Sequence, residues 1–236
     1  MNHALKVTRL HMNKPMVMFG VPGQIILAVL LVTALISFIL QRAGLDPTAV
    51  DYADGARWNQ GMIWSLPGFL IYYGVQAVAT TYPFALALGA TRRAHVFGTA
   101  IANLVLALFV SLLMLALLGI ELATNHWFFG VYALDTYMLG AGNPLVLFVT
   151  VFLITFVSTS VGGLFGAVWV RFGSKGPTVV ALGLALIFVV LLLIFVPQLG
   201  DIMAAITRPL IAGVGFGIAL VALVATWWVM RRATVR

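Results

Sequence analysis

The side chains that could do chemistry in this chain are few and stand far apart. The chain has 236 residues and no cysteine, and only 8% of its residues are charged. The histidines are His3, His11, His95 and His126, and their spacing predicts no cluster able to hold zinc. Glu121 is the single glutamate, and no base stands near a serine that could act as a nucleophile. The sequence therefore predicts neither a catalytic residue nor a metal site.

Nucleotide hydrolysis is not expected of this chain either. The nearest approach to a G-x-x-x-x-G-K-[ST] phosphate loop is FGSKGP, residues 172–177, which is too short for that motif. The centres of the apolar segments also lack acids, lysines, arginines and histidines, whereas proton relays and ion-coupled carriers usually place an ionisable group there. If the protein moves a solute uphill, the energy has to come from a partner.

Hydroxyl and amide groups within two apolar segments offer the remaining polar chemistry. Ser158, Thr159 and Ser160 form a run of hydroxyls, and Thr80 follows Gln76 at the spacing of one helical turn. Two interpretations stay open for these side chains. They line a transport path, or they form hydrogen bonds between helices, which is the more common role of such groups.

Glycines four residues apart mark two further patterns. Gly162 and Gly166 follow Ser158 at this spacing, and Gly213 and Gly217 repeat it near the C-terminus. Small residues at such a spacing let membrane helices approach closely. These four glycines are predicted to serve helix packing.

Six membrane-spanning helices are predicted to carry these residues. Hydrophobic residues make up 63% of the chain, and its mean hydropathy is +1.12. Apolar runs of about 20 residues recur, which is enough to cross a hydrocarbon core about 30 Å thick. The runs are too long for barrel strands, so an all-α fold is predicted, as a single transmembrane domain over residues 1–236. The spans are placed near residues 21–41, 61–81, 95–119, 144–170, 177–198 and 209–230.

The segment before the first span, residues 1–20, has a different pattern. Lys6, Arg9 and Asn13 share one helical face, whereas apolar residues fall on another. We predict an interfacial helix that ends near Pro15, with its cations toward anionic lipid headgroups. The alternative is an unstructured basic tail.

Charge placement predicts that both chain ends lie in the cytoplasm. The segments predicted inside hold most of the basic residues: Lys6, Arg9, Lys14, Arg92, Arg93, Arg171, Lys175, Arg231, Arg232 and Arg236. The segments predicted outside hold Arg42, Arg57 and Arg208 and all the acids, which are Asp46, Asp51, Asp54, Glu121, Asp135 and Asp201. This distribution follows the positive-inside rule. The net charge of +7 is therefore interpreted as membrane orientation, and no nucleic-acid partner is expected.

The segment between the second and third spans, residues 80–98, carries more signals than a plain turn. Thr80 or Thr81 can cap a helix, and Pro83 suits the first turn of that helix. Gly89 can end it, because glycine readily adopts the left-handed conformation found at helix C-termini.

Two interpretations of this segment stay open from the residues alone. The first is a short separate helix flanked by Arg92 and Arg93, after which Thr91 caps the third span. Its apolar face would be drawn from Phe84, Leu86 and Leu88. The second is that the second span simply continues and a turn follows.

In its order of features the chain resembles the membrane subunit of ABC-2 type ABC transporters. The shared features are a basic N-terminal helix, six spans with both ends inside, and the inner turn YPFALALGATRR that leads to Gly98. They cover most of the chain. The resemblance implies a permease that pairs with a second copy or a sister permease in the lipid bilayer. It also implies a separate ATPase subunit, which would hold the ATP and the magnesium.

The resemblance further implies a role for the segment between spans two and three. In that family this turn forms a coupling helix that docks into a groove on the ATPase. The implied contact residues are Tyr82, Pro83, Phe84, Leu86, Leu88, Gly89, Arg92 and Arg93. Several members carry a re-entrant hairpin between spans five and six, but residues 199–208 are too few for one. The size is instead similar to that of small bacterial drug-export and bacteriocin-immunity permeases.

A permease subunit of an ATP-driven exporter in the bacterial plasma membrane is the resulting expectation. Its cargo would be hydrophobic or amphipathic, such as a drug, a lipid or a peptide. Two other functions are kept as alternatives: a membrane scaffold or assembly protein without transport activity, and a secondary carrier for a neutral solute. The chain itself is expected to be no enzyme and to bind no cofactor.

Overall fold

Residues 3–231 are described by the structure, a computed structural model, and all their regular elements are helices. Within this range six segments are long and apolar enough to cross a membrane, which confirms the predicted all-α fold with six candidate spans. They are Met16–Arg42, Val50–Ala87, Arg92–Ala123, Pro144–Phe172, Lys175–Ala205 and Arg208–Arg231. These features are those of a multi-pass membrane protein.

The part of the chain before α7 contains the first two candidate spans, and the second of them is built from several short helices. Its elements are α1 (His3–Met12), a π-helical turn (Met16–Gly20), α2 (Val21–Arg42), α3 (Val50–Ala56), α4 (Gly61–Ser65), α5 (Pro67–Ala79) and α6 (Thr81–Ala87). Leu66 separates α4 from α5, because Pro67 has no N–H to continue the helical hydrogen bonds. The second candidate span is therefore segmented.

The second half contains longer helices with clear ends. Its elements are α7 (Arg92–Ala123), an irregular turn (His126–Gly130), α8 (Pro144–Phe172), α9 (Lys175–Phe195), a 3₁₀ turn (Val196–Gln198), α10 (Leu199–Ala205) and α11 (Arg208–Arg231). Thr91 caps α7 as predicted, since its Oγ1 accepts a hydrogen bond from the Ala94 N–H at 3.1 Å. The link between α9 and α11 is the single short helix α10 with its flanking turns, in agreement with the prediction that a hairpin would not fit.

The central helix is α8, which packs against α5, α7 and α11. Its closest approach is to α5, where Gly162 on α8 faces Gly74, and Gly166 faces Val75 and Val78. A Cβ on Gly162 would lie 3.0 Å from the Gly74 Cα, and one on Gly166 would lie 2.6 Å from the Val75 carbonyl oxygen. Backbone meets backbone here, so only glycine fits. The sequence pattern pointed to Gly162 and Gly166 but not to Gly74, the counterpart of Gly162 on α5.

The other predicted ridge, Gly213 and Gly217, makes no close helix contact among the described residues. A Cβ added at Gly213 or Gly217 meets no atom of the described residues within 4 Å. The buried stripe of α11 consists instead of Ala219, Ala222, Thr226, Val229 and Met230. The expected helix packing by these two glycines is thus absent from the described part of this chain, because they lie off the face that α11 turns toward α8.

The helices α9 and α10 contain no buried residue among those described. Their side chains are nevertheless mostly large and apolar, such as Leu186, Phe188 and Leu193. Such a surface is unstable in water but suits the hydrocarbon core of a bilayer.

The two ends of the helix bundle differ in charge. One end, called the basic end below, brings together α1, the start of α7 and the end of α11, where the Arg92 guanidinium donates to the Arg231 carbonyl oxygen. The other, called the acidic end, contains the ion pair between Arg57 and Asp135. Two of the basic residues predicted on the inner side, Arg92 and Arg231, thus meet at the basic end.

Candidate functional site

The helix α6 lies at the basic end and presents apolar side chains at the surface. Phe84 is 55% exposed and Leu88 is 67% exposed. The helix ends at Ala87, and Gly89 has φ +80°, so the predicted glycine stop is present. Leu86 is half-buried, whereas Gly89 is exposed. Two of the predicted apolar positions are therefore available for a partner.

The start of α6 differs from the prediction. The Thr80 hydroxyl donates to the Gln76 carbonyl oxygen at 2.7 Å and caps no N–H of α6. Thr80 keeps right-handed helical angles, with φ −97° and ψ −36°, so the geometry of an N-cap is not reached. The prediction that Thr80 caps α6 is wrong. Only Thr80 separates α6 from α5. The helix α6 is thus neither a fully separate helix nor a plain continuation of the second span.

Tyr82 lies on the opposite side of α6 and is fully buried. Its ring contacts the His95 ring edge-on, at 5.2 Å between centroids. It also belongs to an apolar cluster with Ala167 of α8 and with Val229 and Met230 of α11. The implied role of Tyr82 as a surface contact does not fit this structure, because α6 is anchored in the bundle through this side chain.

The two arginines after α6 are exposed at the start of α7. Arg92 is engaged with the end of α11 through the Arg231 carbonyl oxygen. The Arg93 guanidinium lies over the Phe97 ring, 5.6 Å from its centroid. Pro83, which precedes Phe84 on α6, is partly buried. Exposed cationic and apolar side chains thus lie close together in the chain at the basic end.

The helix α1 is fastened to α7 next to this region. The Thr8 hydroxyl donates to the Gly98 carbonyl oxygen at 3.0 Å, and His11 Nε2 lies 3.0 Å from Thr99 Oγ1. A Cβ on Gly98 would lie 2.6 Å from the Ala4 carbonyl oxygen, so the two helices are in contact. The predicted helix exists, but its buried face is Val7, Thr8 and His11, which the charge pattern did not indicate. Its placement at a membrane interface stays a prediction.

Acid is expected to loosen α1. Burial lowers the pKa of His11 from about 6.5 to about 4, so the folded protein holds its imidazole neutral. The stability that neutral His11 contributes is complete above about pH 6.5 and is lost as the pH falls toward 4, up to about 3 kcal/mol. Thermal unfolding measured between pH 7 and pH 4 should show this loss in the wild type and a smaller one in His11→Gln. Equal pH slopes in the two proteins would contradict this assignment.

The residues predicted to line a path are placed differently from one another. Ser158, Thr159 and Ser160 are all buried in the bundle. The Thr159 hydroxyl donates to the Thr155 carbonyl oxygen of its own helix at 2.8 Å. Gln76 is partly buried and Thr80 is exposed. The three hydroxyls of α8 are thus enclosed in the bundle, whereas Thr80 lies at the surface.

A second polar cluster, which the sequence pattern did not reveal, lies at the acidic end. Glu121 is fully buried at the end of α7, and its carboxylate accepts hydrogen bonds from the backbone N–H groups of Ala133, Leu134 and Asp135, at 2.9–3.1 Å. The Trp127 indole N–H donates to the same carboxylate at 3.2 Å. This cluster folds the loop before α8 onto the bundle. Its signal in the sequence was an acid at the end of an apolar run.

A salt bridge ties the same loop to the start of the second candidate span. Asp135 Oδ2 lies 3.0 Å from the Arg57 guanidinium and 3.0 Å from His126 Nε2. Among the residues that the structure describes, no three His, Cys, Asp or Glu side chains are arranged to hold a metal ion. The contacts of Glu121 and Asp135 therefore have a structural role, because they hold the loop against the acidic end of the bundle.

Comparisons with protein-family models, with curated proteins and with solved structures find no match to this chain.

Proposed function

We propose that the chain is the membrane-spanning permease subunit of an ATP-driven exporter, with a separate ATPase subunit that docks on α6. The observation that carries this proposal is the two-sided character of α6. One side exposes Phe84 and Leu88 at the basic end, and the other inserts Tyr82 among the spans. A helix built in this way can receive a force at the surface and pass it to the bundle.

The route of that force follows from the contacts of Tyr82. Its ring touches His95 at the start of α7, and its cluster includes Ala167 of α8 and Met230 of α11. Because packed side chains resist compression, a displacement of α6 moves these helices as rigid bodies. ATP binding to the partner would in this way change the tilt of three spans.

The composition of the chain favours an energy source that lies on another subunit. It has no phosphate loop, and the centres of the spans carry no ionisable group that a proton or ion gradient would use. ATP and magnesium would accordingly bind to the partner subunit.

The positive-inside rule supports a cytoplasmic basic end, with both termini in the cytoplasm of a bacterium and the spans in its plasma membrane. The ATPase would then meet α6 on the side where ATP is present. A second copy or a sister permease would complete the transport path. The exposed apolar helices α9 and α11 permit hydrophobic or amphipathic cargo, such as a drug, a lipid or a peptide.

A membrane scaffold is the second candidate, because Gly213 and Gly217 present an open ridge suited to a partner helix. A scaffold would bind membrane partners without transport. A secondary carrier for a neutral solute would transport without nucleotide and would respond to an uncoupler.

Co-purification with candidate ATPases tests the proposal. Phe84→Asp combined with Leu88→Asp should abolish binding of the ATPase and its stimulated ATP hydrolysis, because the docking surface is apolar. Val50→Asp is the matched control, since Val50 is apolar, 75% exposed and located at the first residue of α3, at the acidic end. Binding that survives the α6 substitutions would show that the ATPase docks elsewhere. Binding lost equally in the control would show a general effect of added charge.

A further inference from the structure

The irregular turn at His126–Gly130 places two phenylalanine rings on the surface of the acidic end. Phe128 is 79% exposed, more than any other large apolar side chain that the structure describes, and Phe129 is 51% exposed. The turn follows α7 and lies against the end of α2. Adjacent aromatic rings at a surface point to something apolar that covers them.

The backbone of this turn has a costly conformation. Asn125, His126, Trp127 and Phe128 have φ angles between 49° and 64°, in the left-handed region that bulky side chains rarely adopt. A conformation of this kind persists only where the surrounding contacts hold it. The exposure of Phe128 is therefore maintained against a cost in backbone energy.

Hydrogen bonds hold the turn from both sides. On the α7 side, the Trp127 N–H donates to the Thr124 hydroxyl at 3.0 Å, and the Phe128 N–H donates to the Thr124 carbonyl oxygen at 3.0 Å. On the α2 side, the Gln41 side-chain amide donates to the Phe129 carbonyl oxygen at 2.6 Å. Because the backbone is used for these contacts, the two phenylalanine rings are presented at a fixed place on the surface.

The level of that place along the bundle is given by α2. The Phe129 ring lies 5.1 Å from the Phe38 ring, measured between centroids. Phe38 precedes Ile39, which is 66% exposed on a helix apolar enough to span a membrane, and Arg42 ends this helix about one turn later. Phe129 is thus level with the last apolar turn of a candidate span. Aromatic side chains are enriched at this level, where acyl chains meet headgroups.

We propose that Phe128 and Phe129 insert into the lipid bilayer and anchor the turn at the boundary between acyl chains and headgroups. The apolar surface of α2 continues into these rings, so the lipid that surrounds Ile39 surrounds them as well. Transfer of the two rings from water to lipid offsets the cost of the left-handed backbone. The anchor fixes the end of α7 at the membrane surface. This inference is independent of the proposed function, since it requires only a chain that spans the membrane.

Spin labels test the surroundings of these rings, because the chain has no cysteine and an introduced one is unique. Phe128→Cys and Phe129→Cys would each carry a nitroxide in the full chain, in lipid nanodiscs. Ile39→Cys is the lipid reference, and Ala49→Cys, exposed in the acidic segment between α2 and α3, is the water reference. Power saturation in electron paramagnetic resonance compares collisions with oxygen, which concentrates in lipid, and with a water-soluble nickel chelate.

We expect the ratio of oxygen to nickel collisions at position 128 to be close to that at position 39 and several-fold above that at position 49. Position 129 should agree, but position 128 decides, because Phe128 is mostly outside the fold whereas Phe129→Cys also removes the contact with Phe38. A ratio at position 128 equal to that at position 49 would place the ring in water. Few collisions with either reagent would place it against protein, such as a second copy of the chain. Either result would overturn the proposal.

Discussion

Gly162→Ala is expected to destabilise the protein by about 3 kcal/mol or more. The new Cβ would collide with the Ile71 carbonyl oxygen and would lie 3.0 Å from the Gly74 Cα. Both are backbone atoms of α5, so no side chain can move aside and the two helices have to separate. The α5–α8 contact is the most extensive helix pair among the described residues, and its loss affects the whole bundle. Thermal unfolding in detergent or nanodiscs measures the effect.

Gly213→Ala is the matched control for this substitution. Gly213 is also a helical glycine, but an added Cβ meets no atom of the described residues within 4 Å. Alanine is the better helix former by about 1 kcal/mol, so this variant should be as stable as the wild type or more stable. A similar loss of stability in both variants would mean that the close approach at Gly162 is not the cause.

Glu121→Ala is expected to destabilise the acidic end by at least about 3 kcal/mol. The substitution leaves three backbone N–H groups and the Trp127 indole N–H without their acceptor. All three backbone donors belong to buried residues, Ala133, Leu134 and Asp135. The loop also contains a costly run of positive φ angles at Asn125, His126, Trp127 and Phe128, which the carboxylate helps to hold.

Protease sensitivity of the loop and Trp fluorescence measure this effect together with thermal unfolding. We expect cleavage between residues 124 and 143 in Glu121→Ala at protease concentrations that leave the wild type intact. Asp201→Ala is the control, because Asp201 is an exposed acid on α10 and should change stability by less than about 0.5 kcal/mol. An intact loop in Glu121→Ala would show that the carboxylate does not hold it.

Long, apolar elements were predictable because they rest on local signals. The third and fourth spans, α7 and α8, match their predicted positions to within a few residues. The cap at Thr91 and the stop at Gly89 are local backbone effects, and both are present. Gly162 and Gly166 follow a spacing that favours close packing, so the sequence could mark them as candidates for it.

Features that depend on contacts between distant segments were not predictable. Tyr82 and Phe84 stand two residues apart on a short helix, and the packing of α7, α8 and α11 around Tyr82 decides which of them is buried. The buried face of α1 contains polar residues, because its partners on α7 are a carbonyl oxygen and Thr99. Glu121 looked like a loop acid, since its three backbone hydrogen-bond donors lie 12 to 14 residues further along the chain.

The account of function depends on whether an ATPase touches the exposed side of α6. A photo-crosslinking amino acid placed at position 84 or 88 tests this directly in cells that express the chain together with a candidate ATPase. Position 50, exposed at the acidic end, is the control. The account predicts crosslinks from positions 84 and 88 to the ATPase, and none from position 50. Transport that continues without any crosslink from positions 84 and 88 to an ATPase, and that an uncoupler stops, would contradict it.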